Sequence, residues 1–308
     1  MIITLTLNPA FDVHCYAPKF APYRENFAEV TERSAGGKGV NISRALMAGG
    51  VECLALVVLG EENRDSFVRE LDADGINYRS ITVSGRIREN ITVHTEGADE
   101  TRISFEGFSA DRALLMDILS ALDGEGLDGA TVTFTGRAPA GLEVSDLRKF
   151  LQTLGERGAR IVIDSKSLSL DDIREIKPYL IKPNREEISE YLGREIRSFD
   201  EVREAAEELC RNGIENVMIS LGADGALLAH SGGVTVAEPP KIKAVSTIGA
   251  GDSSIAGFLA ADMAGADACG KLRAAVAYGT AACLTEGTRP PRADDIKSIL
   301  NAVTVKKV

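Results

Sequence analysis

Residues 245–256 read Val-Ser-Thr-Ile-Gly-Ala-Gly-Asp-Ser-Ser-Ile-Ala, and within them Gly249, Ala250, Gly251 and Asp252 form a group suited to moving a phosphoryl unit. The three small residues let the backbone turn sharply with its N–H groups toward a ligand, and the apolar run after Asp252 predicts a helix starting there. A helix N-terminus offers a phosphate unpaired donors and partial positive charge. A carboxylate at the mouth of such a turn can take the proton of a hydroxyl that attacks the phosphate. A plainer role also fits, because Asp after a glycine-rich loop is a common helix N-cap. The stretch by itself leaves both open.

Other residues can serve polar ligands. Asn8-Pro9-Ala10-Phe11-Asp12 breaks a strand-like alternation over residues 2–7, which places Asp12 just past a strand end, where open α/β sheets hold ligand-binding groups. Asn8 and Asp12 are equally good turn formers. Ala35-Gly36-Gly37-Lys38-Gly39-Val40-Asn41 sets glycines around a lysine at a predicted helix start, so Gly37, Lys38 and Asn41 can close on a polar ligand. The spacing is not that of a Walker A loop. Arg88 and Arg102 lie on the two arms of a predicted β-hairpin whose turn covers 97–100; a guanidinium there is either a solvated edge charge or a phosphate fork.

The elements that must carry these groups follow a strand–helix rhythm. Short strands over 13–16 and 26–33 lack a following helix and are assigned, with the 88–105 hairpin, to a small accessory sheet. From residue 109 onward strands near 131–135, 160–164, 179–182 and 217–221 alternate with amphipathic helices, which argues a parallel sheet covered on both faces. Strands over 226–230 and 234–237 and helices over 252–264, 271–284 and 294–300 close the chain.

Composition narrows the partners. With 308 residues, 44% hydrophobic and 26% charged, the chain can bury a large core. The net charge of −11 argues against nucleic acid or an anionic membrane, so an anionic ligand must be met by a few local Lys and Arg and a divalent cation. Five scattered cysteines and three separated histidines suggest neither a disulfide framework nor a metal site, and no apolar run has membrane-spanning length. A strand-like start at Met1 with no charged leader leads us to expect a cytoplasmic protein.

Six segments, 7–12 (Leu-Asn-Pro-Ala-Phe-Asp), 36–41 (Gly-Gly-Lys-Gly-Val-Asn), 181–187 (Ile-Lys-Pro-Asn-Arg-Glu-Glu), 220–226 (Ser-Leu-Gly-Ala-Asp-Gly-Ala), 247–252 (Thr-Ile-Gly-Ala-Gly-Asp) and 286–288 (Glu-Gly-Thr), together resemble the ribokinase or phosphofructokinase B family of carbohydrate kinases. The likeness covers nearly the whole chain and is greatest to the 1-phosphofructokinase and tagatose-6-phosphate kinase branch. It implies one ribokinase-like α/β domain over 1–308, a central mostly parallel sheet with helices on both faces, and a small β-sheet lid within about 13–33 and 88–105.

The resemblance also implies roles. Asp252 is then the base and the amides of 249–251 the anion hole. Asn184 and Glu187 match an Asn-x-x-Glu that organises Mg²⁺ largely through water. Lys182, Ser220, Gly222 and Gly225 fall in segments along the phosphates of ATP, and residues 277–283, with Ala277 and Gly279, make an apolar wall for adenine. Asp12, Gly37, Lys38, Asn41 and Arg88 match positions that hold sugar hydroxyls or a sugar phosphate. The expected reaction is phosphorylation of fructose 1-phosphate, tagatose 6-phosphate or fructose 6-phosphate to the bisphosphate. Separately, the edge strands of the lid would present unpaired backbone unless covered, so a homodimer joined lid to lid is expected.

Three departures bear on the substrate and cofactors. The branch's Asn-Arg before the glycine loop reads Asn26-Phe27 here, and its Gly-Ser-Leu-Pro reads Gly136-Arg137-Ala138-Pro139, so that Arg137 can replace the lost charge from the opposite wall. Alternatively the pocket takes an unphosphorylated sugar, a polyol or a nucleoside; a non-catalytic sugar-phosphate sensor is the remaining reading. Ser246 stands where some relatives carry an aspartate of a monovalent-cation site, so potassium activation is not expected.

Overall fold

The computed structural model describes residues 1–97 and 100–308. In chain order the elements are β1 (Ile2–Thr6), β2 (Ala10–Tyr16), β3 (Glu29–Gly36), α1 (Lys38–Ala48), β4 (Leu54–Gly60), α2 (Arg64–Ala73), β5 (Tyr78–Val83), β6 (Arg88–His94) and β7 (Thr101–Ser104). There follow α3 (Arg112–Ala121), β8 (Thr131–Thr135), α4 (Val144–Glu156), β9 (Arg160–Asp164), α5 (Leu170–Ile176), β10 (Leu180–Ile181), α6 (Arg185–Leu192) and α7 (Phe199–Arg211). The chain ends with β11 (Asn216–Ser220), β12 (Ala226–His230), β13 (Gly233–Glu238), α8 (Ala250–Met263), α9 (Ala268–Ala282), α10 (Ala293–Ala302) and β14 (Thr304–Lys307).

Ten strands form one sheet in the order β14-β13-β12-β11-β10-β9-β8-β1-β4-β5. The strands from β11 to β5 are parallel, and β12, β13 and β14 extend the sheet antiparallel. Every residue of β1 is buried, as a strand covered on both faces requires. Ile3 and Leu5 join one apolar cluster with side chains from α3, α4 and α7, while Ile2 joins a second with α1, α8 and α9. The small sheet, in the order β3-β2-β6-β7, is mixed: β2 pairs antiparallel with β3 and parallel with β6.

Several expectations are corrected at their edges. Asp12 is not past a strand end; it lies inside β2, because Asn8-Pro9 ends β1 and the chain at once enters the small sheet. The strand expected from 26 begins at Glu29, since Asn26 closes the preceding loop, accepting from Ala21 N at 2.8 Å and donating to Ala21 O at 2.9 Å. The hairpin arms are β6 and β7, and Ala98 and Asp99 of the expected turn lie outside the described residues. Strand β14 was not expected; four residues with two lysines carry too weak a pattern, and it is held by pairing with β13. Among the described residues no helix is long and apolar enough to cross a membrane, and all five cysteines are free.

Candidate active site

The C-terminal ends of five parallel strands, β1, β8, β9, β10 and β11, deliver Thr6, Thr135, Asp164, Lys182 and Ser220 to one edge of the large sheet. This is where an open α/β sheet binds ligands, because helix N-termini converge there. Two cavities occupy the edge. One, of about 710 Å³, is closed by the small sheet through Asp12, Arg88, Asn90 and Ser104. The other, of about 690 Å³, lies over β11 and α9. Lys182, Asn184, Ser220 and Gly251 line both, so the cavities meet at those four residues.

Helix α8 points its N-terminus at the junction. It begins at Ala250, two residues before the expected start, because Gly249 adopts a left-handed φ of 78° that turns the chain into the helix. Gly251 permits a close approach: a Cβ there would stand 3.1 Å from Lys182 Nζ. Asp252 therefore sits in the first turn and is not the N-cap; its Oδ2 accepts from Asn41 Nδ2 at 2.9 Å, with the side chain facing the lid-side cavity. Burial pushes its pKa up to about 6, against the pull of Lys38 and the Asn41 hydrogen bond. At neutral pH the group is an ionised base with a conjugate acid near working pH, which suits proton transfer.

The half-buried ammonium of Lys38 needs an anionic partner. The protein supplies one: Nζ donates to Asp164 Oδ2 at 2.8 Å, and Lys182 Nζ lies 3.8 Å from the same oxygen. Burial opposes the charge of Lys38, yet Asp164, and then Asp252, hold its pKa above the ordinary lysine value. Burial likewise works to raise Asp164, but Lys182 and Lys38 overcome it and keep the carboxylate below its usual range.

The lid side carries a different kind of chemistry. Asn90 Nδ2 donates to Asp12 Oδ1 at 2.9 Å, and Arg88 donates to Asn90 Oδ1 at 3.0 Å. Burial, opposed by Asn90 and then Arg88, raises the Asp12 carboxyl above its usual range. Burial lowers the Arg88 pKa, Asp12 opposes the shift and Arg137 adds to it, so two guanidiniums face one space. Arg137 is exposed in the mouth of that cavity. Thr6 Oγ1, Asn8 Oδ1, Asn41 Oδ1, Arg88 Nε and Thr135 Oγ1 are buried without a partner, and all five residues line this one cavity. Buried polar groups are rarely left unpaired, so their concentration here marks a polar ligand.

In the other cavity, Ser220, Gly222 and Gly225 line one side and Val276, Gly279, Thr280 and Cys283 the other. Ala277 does not reach it. Its side chain is fully buried in the core between α8 and α9, since a one-residue step along a helix turns about 100° away from the face carrying 276, 279 and 283. Asn184 and Glu187 form a capping box on α6: Asn184 Oδ1 accepts from Glu187 N at 2.8 Å and Glu187 Oε2 from Asn184 N at 3.0 Å. With those oxygens committed, the pair fits a hydrated Mg²⁺ held through water better than a directly bound ion. Gly37 lies beside Lys38 in the lid-side cavity. Sequence reasoning missed Asp164 and Asn90. The signal for Asp164 was its place as the last residue of a parallel strand; Asn90, in mid-strand, offered none.

A ten-stranded α/β sheet, a small covering sheet and a carboxylate at a helix N-terminus between two cavities describe a carbohydrate kinase. The family described as pfkB family carbohydrate kinase matches residues 7–295, and the chain belongs to it. The chain is 32% identical over 262 residues to the 1-phosphofructokinase of Escherichia coli (strain K12), spanning 84% of this chain and 83% of that one. It is 31% identical over 309 residues to the 1-phosphofructokinase of Rhodobacter capsulatus, spanning 99% and 97%. Among solved structures, phosphofructokinase-2 from Escherichia coli in complex with fructose-6-phosphate superimposes with a TM-score of 0.90 at 28% identity, covering 98% of each chain.

Proposed function

We propose that the protein transfers the γ-phosphoryl group of ATP to a hydroxymethyl group of a ketohexose monophosphate, giving the bisphosphate. The observation that carries this is the junction of the two cavities at Lys182 and Gly251, with Asp252 facing only the lid-side one. The acceptor occupies the lid-side cavity and ATP the other. Asp252 takes the proton of the attacking hydroxyl, and the amides of Gly249, Ala250 and Gly251 receive the developing charge. Lys182 lies at the crossing point and neutralises the group in transit. Asp12, Asn90, Asn41 and Gly37 hold sugar hydroxyls. Because Asp164 already neutralises Lys38, the existing phosphate falls chiefly to Arg88 and Arg137. Ser220, Gly222 and Gly225 follow the nucleotide phosphates, with Val276, Gly279 and Thr280 walling the base. Mg²⁺, held by Asn184 and Glu187 through water, supplies charge neutralisation to those phosphates.

The test is a panel of free and phosphorylated ketohexoses assayed for ADP release with ATP and Mg²⁺. Turnover on fructose 1-phosphate, fructose 6-phosphate or tagatose 6-phosphate at least about tenfold above the free sugars is expected, since a charge-assisted contact is worth more than about 1.4 kcal/mol. Equal turnover of free fructose would replace this reading with a kinase for unphosphorylated sugars, which the absence of a basic residue at Phe27 favours.

A lid-to-lid homodimer belongs to the same proposal. Tyr16, Tyr23, Phe27, Val30, Ile103 and Phe105 are exposed, and all lie in the small sheet or its loops. Such a patch is unusual on a monomer. A monomeric mass by light scattering at micromolar concentration would exclude it. Free cysteines and the absence of a membrane-crossing helix among the described residues are in keeping with a cytoplasmic setting.

A further inference from the structure

Asp164 has so far been only the partner of Lys38, yet its position gives it a larger part. It is the last residue of β9 and is 7% exposed. One oxygen, Oδ2, serves Lys38 at 2.8 Å and Lys182 at 3.8 Å. These two lysines stand in different places: Lys38 lines the lid-side cavity alone, while Lys182 lines both. Lys38 comes from α1 and Lys182 from the segment after β10, and both ammonium groups meet this one carboxylate oxygen. Without it two like charges would stand near each other at a buried point with less to hold them in place, which is costly.

We propose that Asp164 is a positioning carboxylate for phosphoryl transfer, a single oxygen that fixes Lys38 against the acceptor and Lys182 at the crossing between the two substrates. The proposal rests on the kinase reading above. Asp164 itself touches neither reacting group; it acts through the two lysines. It also sets the charge balance around the base. The groups facing Asp252 are Lys38 and Asn41 from α1, Lys182 from the segment after β10 and Asp164 from β9. Those facing Asp164 are Lys38, Lys182, Lys166, Tyr191 and Asp252 itself. Removing the Asp164 charge leaves both ammoniums unopposed beside Asp252, and Asp252 then loses protons more readily.

The experiment compares wild type, Asp164→Asn and Asp164→Glu. In Asp164→Asn, kcat is expected to fall and the acceptor KM to rise, each by about tenfold, with a smaller change in the KM for ATP. The acid limb of kcat/KM should move to lower pH, a change that a merely structural role would not produce. A second readout needs no turnover: the folded protein is treated with acetic anhydride at pH 8 and Lys38 modification is followed by peptide mass spectrometry against exposed Lys19. Lys38 should react severalfold faster in Asp164→Asn, since loss of the carboxylate that holds its pKa up raises the share of free amine. Asp164→Glu keeps the lysines paired but one methylene displaced, so it should restore slow Lys38 modification while kcat stays impaired; it carries the test if the Asn variant folds poorly. Unchanged Lys38 reactivity with an unmoved acid limb in Asp164→Asn would overturn the proposal, as would wild-type kinetics in Asp164→Glu. A variant whose sole defect is a higher Mg²⁺ requirement would assign the carboxylate to the cation instead and likewise overturn it. If the wild type phosphorylates no sugar phosphate, the kinase reading fails while the acetylation contrast still decides whether Asp164 holds the lysines.

Discussion

The two halves of the site satisfy their charges in opposite ways. At the edge of the large sheet, Asp252, Asn41, Lys38, Asp164 and Lys182 form a chain in which every charged group already has a partner within the protein. Around the acceptor, Arg88 of the small sheet and Arg137 of the loop after β8 face one space, and several buried polar atoms, Asn41 Oδ1 among them, stand unpaired. A preorganised, internally neutral centre can act on any phosphoryl group placed before it, since its geometry costs nothing to assemble. An unneutralised wall is incomplete until the right anion arrives. The chemistry is therefore built into the paired centre at the sheet edge and the choice of acceptor into the wall that the lid and the loop after β8 share.

The sharpest way to break this division is Asp252→Asn. A loss of about a thousandfold in kcat is expected, in line with removal of a general base, with the acceptor KM changed less than about threefold. In the wild type, kcat/KM should fall tenfold per pH unit below about 6, where Asp252 takes up its proton. A variant that kept its rate would place the base elsewhere.

The lid side should respond in KM. Arg88→Ala and Arg137→Ala are each expected to raise the KM for a phosphorylated acceptor about thirtyfold, corresponding to loss of about 2 kcal/mol from a charge-assisted contact. The KM for ATP should stay within about twofold, because neither residue lines the other cavity. Equal losses on free and phosphorylated sugars would detach the guanidiniums from the phosphate. A smaller effect is expected for Asn90→Ala, which frees both Asp12 and Arg88 from the hydrogen bonds that aim them. An acceptor KM about tenfold higher with kcat nearly kept would mark Asn90 as an orienting residue of the lid, each lost hydrogen bond being worth about 1 kcal/mol.

The same contrast governs what could be read from the sequence. Residues carried on local signals were legible: Gly249 to Asp252 from a glycine turn before an apolar run. The parallel sheet was legible because continuous apolar strands alternate with amphipathic helices. What stayed hidden depends on distant pairing. Asp164 acquires meaning only when β9 sets it beside Lys38, 126 positions away. Asp12 was misplaced because the three-residue break between β1 and β2 carries no mark of a change of sheet. Lys38, read from its glycine loop as able to close on a polar ligand, is paired by the fold with a carboxylate of the chain itself.

Asp252 also makes the sheet edge less stable than it would otherwise be, and this gives a last test with a smaller effect. Its folded pKa of about 6 lies above the ordinary carboxylate value of 3.8, so the native state holds the proton more tightly than the unfolded chain. The sign follows from linkage: the contribution is present in full below pH 4, is lost as pH rises through 6, and leaves the ionised group opposing folding at neutral pH. Asp252→Asn removes that opposition while an amide can still meet Asn41. The variant should be more stable than wild type at pH 7.5 by on the order of 1 kcal/mol, with the difference shrinking toward pH 4. Denaturant midpoints measured across this range at fixed ionic strength provide the check. Arg137→Ala, in the loop after β8, should show no such pH-dependent gain, because its guanidinium is exposed at the cavity mouth. A variant at Asp252 that is uniformly less stable would mean the base is held by its partners at no cost to the fold, and the contrast between the neutral centre and the open wall would then rest on kinetics alone.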